Sequence, residues 1–464
     1  MRVKLIASLG PSSSSGGVIE SLLHEGVSGF RINLAHGGLG EWRALIRRVR
    51  DAEVSVGRPA AVITDIRGPS LRLGDFPEVL HVEAGSLVRF CVSGYSRTEL
   101  RVPFPHKEVI KELAAGDLLV MDDGRARFRV VEVSEECFTA QALSTCDLRS
   151  RKNVAFPGRV FELPYLTGED AEDVKVLCRD GVDYVGASHV RGAEDVEALR
   201  NFLRSVGCDA LIITKVETRD AVKNLSEVVE ASDAVLVARG DLGMNFGLEE
   251  VPVLQKEIVN TSLEAGKPVI VATQLLESMT SNPVPTRAEV SDVSNAVLEG
   301  VDALMLTGET AVGKYPVEAV RWLRRIAERA ESMRQPPVQR EGWRVMKSLK
   351  GRYAKGVVEL AEDLNGVLAI YSMKGTTAFS VASLRPETRF YVAVPDVRIA
   401  RKLSIVWGAQ VRVIKAEGYM EGLEKLYSEL MMEGELRANE VVVLTYGLRD
   451  REQVIKVRSV SSTQ

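Results

Sequence analysis

The sequence predicts an α/β protein built on an eight-stranded parallel barrel, with a small β domain inserted after the third strand and an open α/β sheet at the C-terminal end. Three observations predict it. Short β-branched apolar runs alternate with helical patterns, as parallel strands joined by helical crossovers do. Strands counted this way before residue 335 number about eight, each followed by a helix, which is the tally of a TIM (β/α)8 barrel. Between Ser70 and Val160 the alternation breaks into short period-two segments separated by Gly, Pro and Asp.

Taken in order, the strand Val3–Ser8 stops at Gly10-Pro11 and is followed by the amphipathic Val18–His24. Strand Gly29–Leu34 carries Arg31 and Asn33 on one side by alternation, and a helix covers Trp42–Val54. The third strand, Ala60–Ile66, ends in Asp65, Arg67, Gly68 and Pro69. In the insertion, Leu87–Val92, Leu118–Met121 and Phe128–Val133 read as strands, and the basic run Arg149–Lys152 fits a solvated face. The α/β alternation then resumes with helix Glu169–Arg179, strand Asp183–Ser188 and helix Glu194–Val206. Strands Leu211–Thr214 and Ala234–Val237 flank a helix over Arg219–Ala231. Helix Val251–Ala265, strand Pro268–Ala272, helix Arg287–Glu299, strand Ala303–Leu306 and helix Pro316–Met333 complete the barrel. The expected limits are 1–69 and 161–335 for the barrel, 70–160 for the insertion and 336–464 for the last domain, with Gln335-Pro336-Pro337 as the boundary. That domain shows strands Gly366–Tyr371, Phe390–Val394 and Gln410–Ile414, helix Arg398–Trp407 and a final strand Glu440–Thr445.

Composition narrows the function classes. At 464 residues, 45% apolar and 27% charged, the chain has material for two or three globular cores. A net charge of −4 argues against a general nucleic-acid binder. Five cysteines form no CxxC pair and five histidines no HxxxH. That pattern fits a reducing cytosol and argues against a disulfide framework and a structural zinc site. The N-terminal MRVKLIASLGPSSS is too short an apolar run for a signal peptide, and no later run approaches a membrane span. A cytoplasmic protein without membrane or nucleic-acid partners is expected.

In parallel barrels, ligand groups collect at the carboxyl ends of the strands. Here those positions hold Arg31, Asn33, Asp65, Ser188, Lys215, Glu217, Arg239, Asp241, Thr273 and Thr307. Ordinary solvated charges would scatter over both rims. Glu217 and Asp241 follow neighbouring strands and can converge on one hard cation, while Lys215 and Arg239 beside them suit an anionic substrate. In the last domain the loop Ser372–Thr377 (SMKGTT) could hold phosphate on backbone N–H groups. A plain strand-to-helix turn fits those residues equally well.

Nine stretches resemble pyruvate kinase: GFRINLAHG (29–37), DIRGPSLR (65–72), Asp122-Asp123-Gly124, ASHVR (187–191), ITKVE (213–217), VARGDLG (237–243), AGKPVIVATQLLESM (265–279), PTRAEVSD (285–292) and LTGETAVGKY (306–315). They are collinear over residues 2 to about 333, and the last domain resembles the family in texture only. The resemblance implies that the insertion is a small β-barrel lid. It implies phosphoryl transfer from phosphoenolpyruvate to ADP, giving pyruvate and ATP, by a cytoplasmic homotetramer. Glu217 and Asp241 would hold Mg2+, with Mn2+ an option. Lys215 and Arg31 would face the phosphoryl group, and the Gly240 and Asp241 amides the substrate carboxylate. Thr273 would relay the proton, with Thr307 also on the substrate side. Asn33, His36, Arg72 and Lys152 match the nucleotide side. Asn33, Asp65 and Ile66 match a monovalent-cation position, where Ala35 and Ser70 replace a hydroxyl and a carboxylate. K+ is therefore expected not to be required. Ser372, Lys374, Gly375, Thr376 and Thr377 match the effector-phosphate loop, without the features of a strong bisphosphate-sugar site. Two rivals share parts of this pattern: a Mg2+-dependent carbon–carbon lyase acting on pyruvate-like acids, and a non-catalytic metabolite sensor. The lyase needs no lid, and the sensor would lose at least one of Lys215, Glu217, Asp241 or Thr273.

Overall fold

Lys4–Ser8 is buried along its whole length and hydrogen-bonds in parallel to Val27–Asn33 on one side and Ala303–Leu306 on the other. That second pairing closes a barrel. Round the ring stand Lys4–Ser8, Val27–Asn33, Ala61–Asp65, Tyr184–Ala187, Leu211–Val216, Ala234–Ala238, Val269–Ala272 and Ala303–Leu306. The computed structural model describes residues 1–69, 71–122, 124–159, 161, 164–333, 347–447 and 453–461. The expected boundary residues Ser70, Val160 and Gln335–Pro337, together with Asp123 and the tail positions 448–451, lie outside the described residues.

Barrel strands are covered on both faces, so nearly every position must be apolar. Ile6, Ile63, Tyr184, Ile213, Leu236 and Met305 fill the interior, while the alternate residues meet the surrounding helices. Threonines start several of those helices. Thr167, Thr218 and Thr286 accept the N–H groups of Asp170, Ala221 and Glu289, and Thr286 with Glu289 forms a capping box. Each such cap contributes about 1 kcal/mol. The single helix expected over Arg219–Ala231 is two, Arg219–Lys223 and Leu225–Ala231. Asn224 leaves the helical region between them and donates its side-chain amide to the Arg191 carbonyl.

The chain leaves the barrel through Leu71–Arg72 and returns through Asn153–Ala155, an antiparallel pair that sets Arg72 opposite Asn153. The insertion forms a seven-stranded sheet beside a two-stranded ribbon of Leu80–Val82 and Cys146–Leu148. Both cover a core of their own that contains Phe90, Phe104, Phe128, Phe138 and Phe156. Phe90 stacks on Phe138 at 4.9 Å, and Phe104 meets Phe138 edge-on at 5.5 Å. A separate core lets the insertion move as one body.

The cysteines overturn an expectation. Cys91 and Cys137, opposite each other on paired strands, are bridged, and so are Cys178 and Cys208. Separations of 46 and 30 residues hide these pairs in the sequence. The cysteine pattern therefore says nothing for a reducing compartment.

The last domain is a sheet in the order Ala409–Val413, Phe390–Val394, Val367–Tyr371, Val441–Thr445 and Ile455–Ser459. The final strand, antiparallel and half exposed, was not expected; charges alternate through Ile455–Ser459 and blunt its pattern. The helix expected to reach Trp407 ends at Leu403. Beyond it, Ile405 enters the amino-end opening of the barrel and is buried with Ile6, Ala61 and Ile63. A Cβ on Gly29 would stand 2.9 Å from the Ile405 methyl, so only glycine admits that plug. Asp302 and Arg385 pair beside it, 1% and 4% exposed.

Candidate active site

The polar ring stands at the opposite end of the barrel, where each strand stops in a residue that cannot be left in a dry interior. Lys215, near the end of the fifth strand, is the hub. Its Nζ lies 2.9 Å from Glu217 Oε2 and 3.1 Å from Ser188 Oγ on the fourth strand's loop. Glu217 is fully buried. Burial opposes the charge on Lys215, but Glu217, Asp65 and Asp241 outweigh it and hold the ammonium pKa above its ordinary value. Burial likewise favours a neutral Glu217, but Lys215 and His189 outweigh it and keep the carboxyl pKa below its usual range. The pair is ionised at neutral pH.

Glu217 is further fixed by residues that strand-end counting missed. The His189 amide donates to Oε1 at 2.6 Å, and Asn245 donates to the Glu217 carbonyl at 2.8 Å. His189 sits at a φ of +55°, a left-handed conformation that turns its N–H inward. ASHVR was part of the recognised pattern, yet nothing local marks that turn.

Arg31 donates Nε to Asp65 Oδ2 at 2.8 Å and reaches Ser8 Oγ at 3.4 Å, which aims its guanidinium along the rim. Asp65 is packed against the fourth strand: a Cβ at Gly186 would lie 2.0 Å from Asp65 Oδ1, so glycine is required there. Asn33 Oδ1 accepts the Ala35 N–H at 3.1 Å, and the Ile66 N–H is held by the Gly186 carbonyl.

His36 shares this side with Arg72, Arg31, Arg151 and Lys152. Burial first, then those four cations in that order, lowers its pKa, leaving the ring neutral. Arg72 donates to the Arg151 carbonyl and feels Asp241 and Glu217. Lys152 pairs with Asp122 within the insertion. The charged nucleotide-side candidates Arg72 and Lys152 thus lie on the His36 side of the rim.

Asp241 opens the helix Arg239–Phe246 after the sixth strand. Thr273 Oγ1 accepts the Gly240 N–H at 2.9 Å, so that amide meets another group only when the hydroxyl turns away. Thr307 donates its N–H to Glu309 Oε2 at 2.8 Å, and Glu309 also accepts from the Leu276 amide, tying the last two strand-end loops together.

One arginine corrects the sequence reading. Arg239 does not face the ring. It pairs with Asp292 at 2.7 Å and donates to the carbonyls of Thr273 and Gln274, both at positive φ, so it braces a strained turn. Arg67 gives no net charge to the Asp65 side, because Asp170, Asp173 and Glu169 surround it.

The donor set suits a hard divalent ion. Glu217 and Asp241 both act on Arg72 and Lys215, so they share one region. Glu217 Oε2 is buried and meets only the Lys215 ammonium, outside hydrogen-bond geometry. No group of three or more His, Cys, Asp or Glu side chains poised for a metal occurs among the described residues. Two carboxylates, completed by water and substrate oxygens, are the kind of donor set Mg2+ takes.

In the last domain, Gly375 adopts a φ of +78° and starts the helix Thr376–Ala382. Thr376 and Thr377 line a cavity of about 60 Å³ with Lys350, Tyr353, Ser380 and Gly447. Ser372 is buried against the neighbouring strand, and Lys374 lies outside that lining. The cation in that lining is Lys350, from the helix Leu349–Asp363.

Comparison with known proteins gives concordant results. Residues 1–320 match the family described as pyruvate kinase, barrel domain, and residues 352–457 match pyruvate kinase, alpha/beta domain. A pyruvate kinase of Pyrobaculum aerophilum is 41% identical over 461 residues, covering 98% of this chain and 96% of that protein. One of Aeropyrum pernix is 38% identical, covering 99% of each. The crystal structure of the Pyrobaculum aerophilum pyruvate kinase superposes with a TM-score of 0.85 at 39% identity, covering 98% of this chain and 99% of that one. A Cryptosporidium parvum pyruvate kinase structure gives 0.88 at 26% identity, covering 99% and 96%.

Proposed function

The chain belongs to the pyruvate kinase family and is a phosphotransferase with that family's activity; from that premise we propose that it transfers the phosphoryl group of phosphoenolpyruvate to ADP with Mg2+ or Mn2+ held by Glu217 and Asp241, and without K+. The observation that carries the reading is the ionised, buried Lys215–Glu217 pair facing Asp65 and Asp241. Phosphoryl transfer is mainly positioning and charge neutralisation. A divalent ion bound there supplies Lewis-acid neutralisation of the phosphoryl and enol oxygens.

The chain's own groups do the rest. Lys215 places a fixed positive charge where the phosphoryl passes and where enolate charge then develops. Arg31, held by Asp65, presents a planar fork to phosphate oxygens. The Gly240 and Asp241 amides, at a helix start, receive the substrate carboxylate as Thr273 turns, with Thr307 on the same side. The Thr273 hydroxyl then relays a proton to the enolate through water; a hydroxyl is too weak an acid to be the source. Asn33, His36, Arg72 and Lys152 receive the ADP phosphates, and the insertion closes as a lid that excludes water. With the whole set intact, neither a lyase nor a sensor has an observation in its favour.

The K+ reading rests chiefly on Ser70, a neutral residue where a carboxylate would add negative charge near Asp65. Two unit charges ~6 Å apart at an effective dielectric of ~20 interact by about 3 kcal/mol, enough to decide whether an extra cation is needed. Arg31 already neutralises Asp65 at 2.8 Å, and Asn33 Oδ1 is occupied by its own turn. Ser70, the neutral replacement for a carboxylate, lies outside the described residues. Initial rates of ADP-dependent pyruvate formation, with Mg2+ and a large organic cation in place of K+, should match those with K+. A rate that collapses and returns with a few millimolar K+ overturns this reading.

We also propose that the Ser372–Thr377 loop accepts one anion but gives no strong activation by fructose 1,6-bisphosphate. The cavity of about 60 Å³ offers roughly four water-sized positions at ~15 Å³ each, room for a single phosphate. Sulfate should occupy it in crystals, and many-fold activation by micromolar fructose 1,6-bisphosphate would show the opposite. A cytoplasmic homotetramer is the assembly the family suggests. No helix among the described residues is long and apolar enough to cross a membrane.

A further inference from the structure

The exit and return strands of the insertion set Arg72 and Asn153 side by side at the rim of the barrel. Asn153 reaches across: its Nδ2 donates to Asp241 Oδ1 at 3.3 Å. Its own Oδ1 is buried and accepts no hydrogen bond. Half-satisfied buried amides are uncommon, and each needs an explanation. The side chain borders a cavity of about 260 Å³ between insertion and barrel, whose barrel wall includes His189, Asp241 and Asn245.

A second contact, Arg125 to Glu277 at 3.1 Å, also joins the insertion to the barrel. Those side chains are 64% and 47% exposed, so water and salt screen the pair. The Asn153–Asp241 bond is part-buried, so water and salt screen it less. It also ends on a residue that the sixth strand presents to the metal region.

We propose that Asn153 is a positioning residue carried by the lid. Its amide holds one oxygen of Asp241, so divalent-cation affinity and lid docking are linked through that bond. This rests on the reading that Asp241 holds the cation. Linkage is reciprocal: whatever docking adds to metal affinity, the metal adds to docking. Asn153 is not itself a catalytic residue, since it touches no reacting atom.

The test uses the full chain without substrates and Mn2+ as the probe. Mn2+ affinity is read by electron paramagnetic resonance titration, and docking by amide hydrogen exchange in 118–122 and 153–155 with and without Mn2+. In the wild type, Mn2+ should slow exchange in those segments. Asn153→Ala should bind Mn2+ about fivefold more weakly, as expected for losing a long bond to a charged group, and lose that slowing. Asn153→Leu keeps the volume without the donor and should behave the same, which separates the amide from mere packing. Asp241→Asn should lose most Mn2+ affinity. If Asp241→Asn loses Mn2+ while both Asn153 variants keep wild-type affinity, or keep the slowing, only the role of Asn153 is overturned. If Asp241→Asn binds Mn2+ like the wild type, the metal assignment fails and this proposal with it.

Discussion

Replacing Lys215 with methionine should lower kcat/KM by roughly a hundredfold or more while leaving substrate binding largely intact. The scale is that of losing one preorganised donor, at least ~3 kcal/mol of transition-state stabilisation. The ammonium is held in place before the reaction by Glu217 at 2.9 Å and Ser188 at 3.1 Å, with Asp65 and Asp241 also raising its pKa. Little reorganisation is needed when charge develops. Methionine keeps the length of the side chain and removes the charge, but it leaves Glu217 buried without its cation. A melting curve must therefore accompany the kinetics. A folded variant with near wild-type turnover would sink the role given to Lys215.

Asp302→Ala should destabilise the chain by about 3–5 kcal/mol, the cost of breaking a buried pair from one side. Asp302 accepts from Arg385 and from the backbone N–H groups of Val269 and Trp407. Removing it leaves both amides and the Arg385 Nη2 without that acceptor, although the guanidinium keeps the carbonyls of Gly300 and Ala382. Arg385→Ala should cost less, because Asp302 keeps its two amide partners. Arg385 also lies over the Trp407 ring at 5.3 Å, so part of its loss is packing. The pair sits at the amino end of the barrel, remote from Lys215, so the folded fraction should keep its turnover. Guanidinium unfolding of both variants reads the order. A loss below 1 kcal/mol for Asp302→Ala would mean that the Ile405 plug alone holds this junction.

The barrel was legible because its signals are local. A strand covered on both faces must be apolar throughout, so VKLIAS, AAVITDI and DAVLVA announce themselves wherever they fall. The residues ending them had to be polar and on one rim, since parallel strands all point the same way. That placed Lys215, Glu217, Asp241, Arg31 and Asp65 in one ring without any coordinates. Even the insertion's position followed, because a change of period from 3.6 to 2 is visible within a few residues.

The direction in which a long side chain turns is a different matter. Arg239 looked equivalent to Lys215, yet its guanidinium bonds carbonyls of the next loop and Asp292, 53 residues away. Arg67 pairs with acids of a helix on the far side of the insertion. Both outcomes depend on which acceptors the fold carries to within 3 Å. The disulfide of Cys91 and Cys137 depends on strand register, and the Ile405 plug on a domain more than 300 residues from the strand it caps. Asn153 directly follows the basic run Arg149–Lys152, which fits a solvated face, and only the paired exit and return strands bring it to Asp241. The sequence by itself determined the repeating βα pattern, the rim and the residue types on it, because periodicity and strand polarity act over a few residues. Only the tertiary structure decided which charges face the site and which brace it, because hydrogen bonds and ion pairs form where distant segments meet.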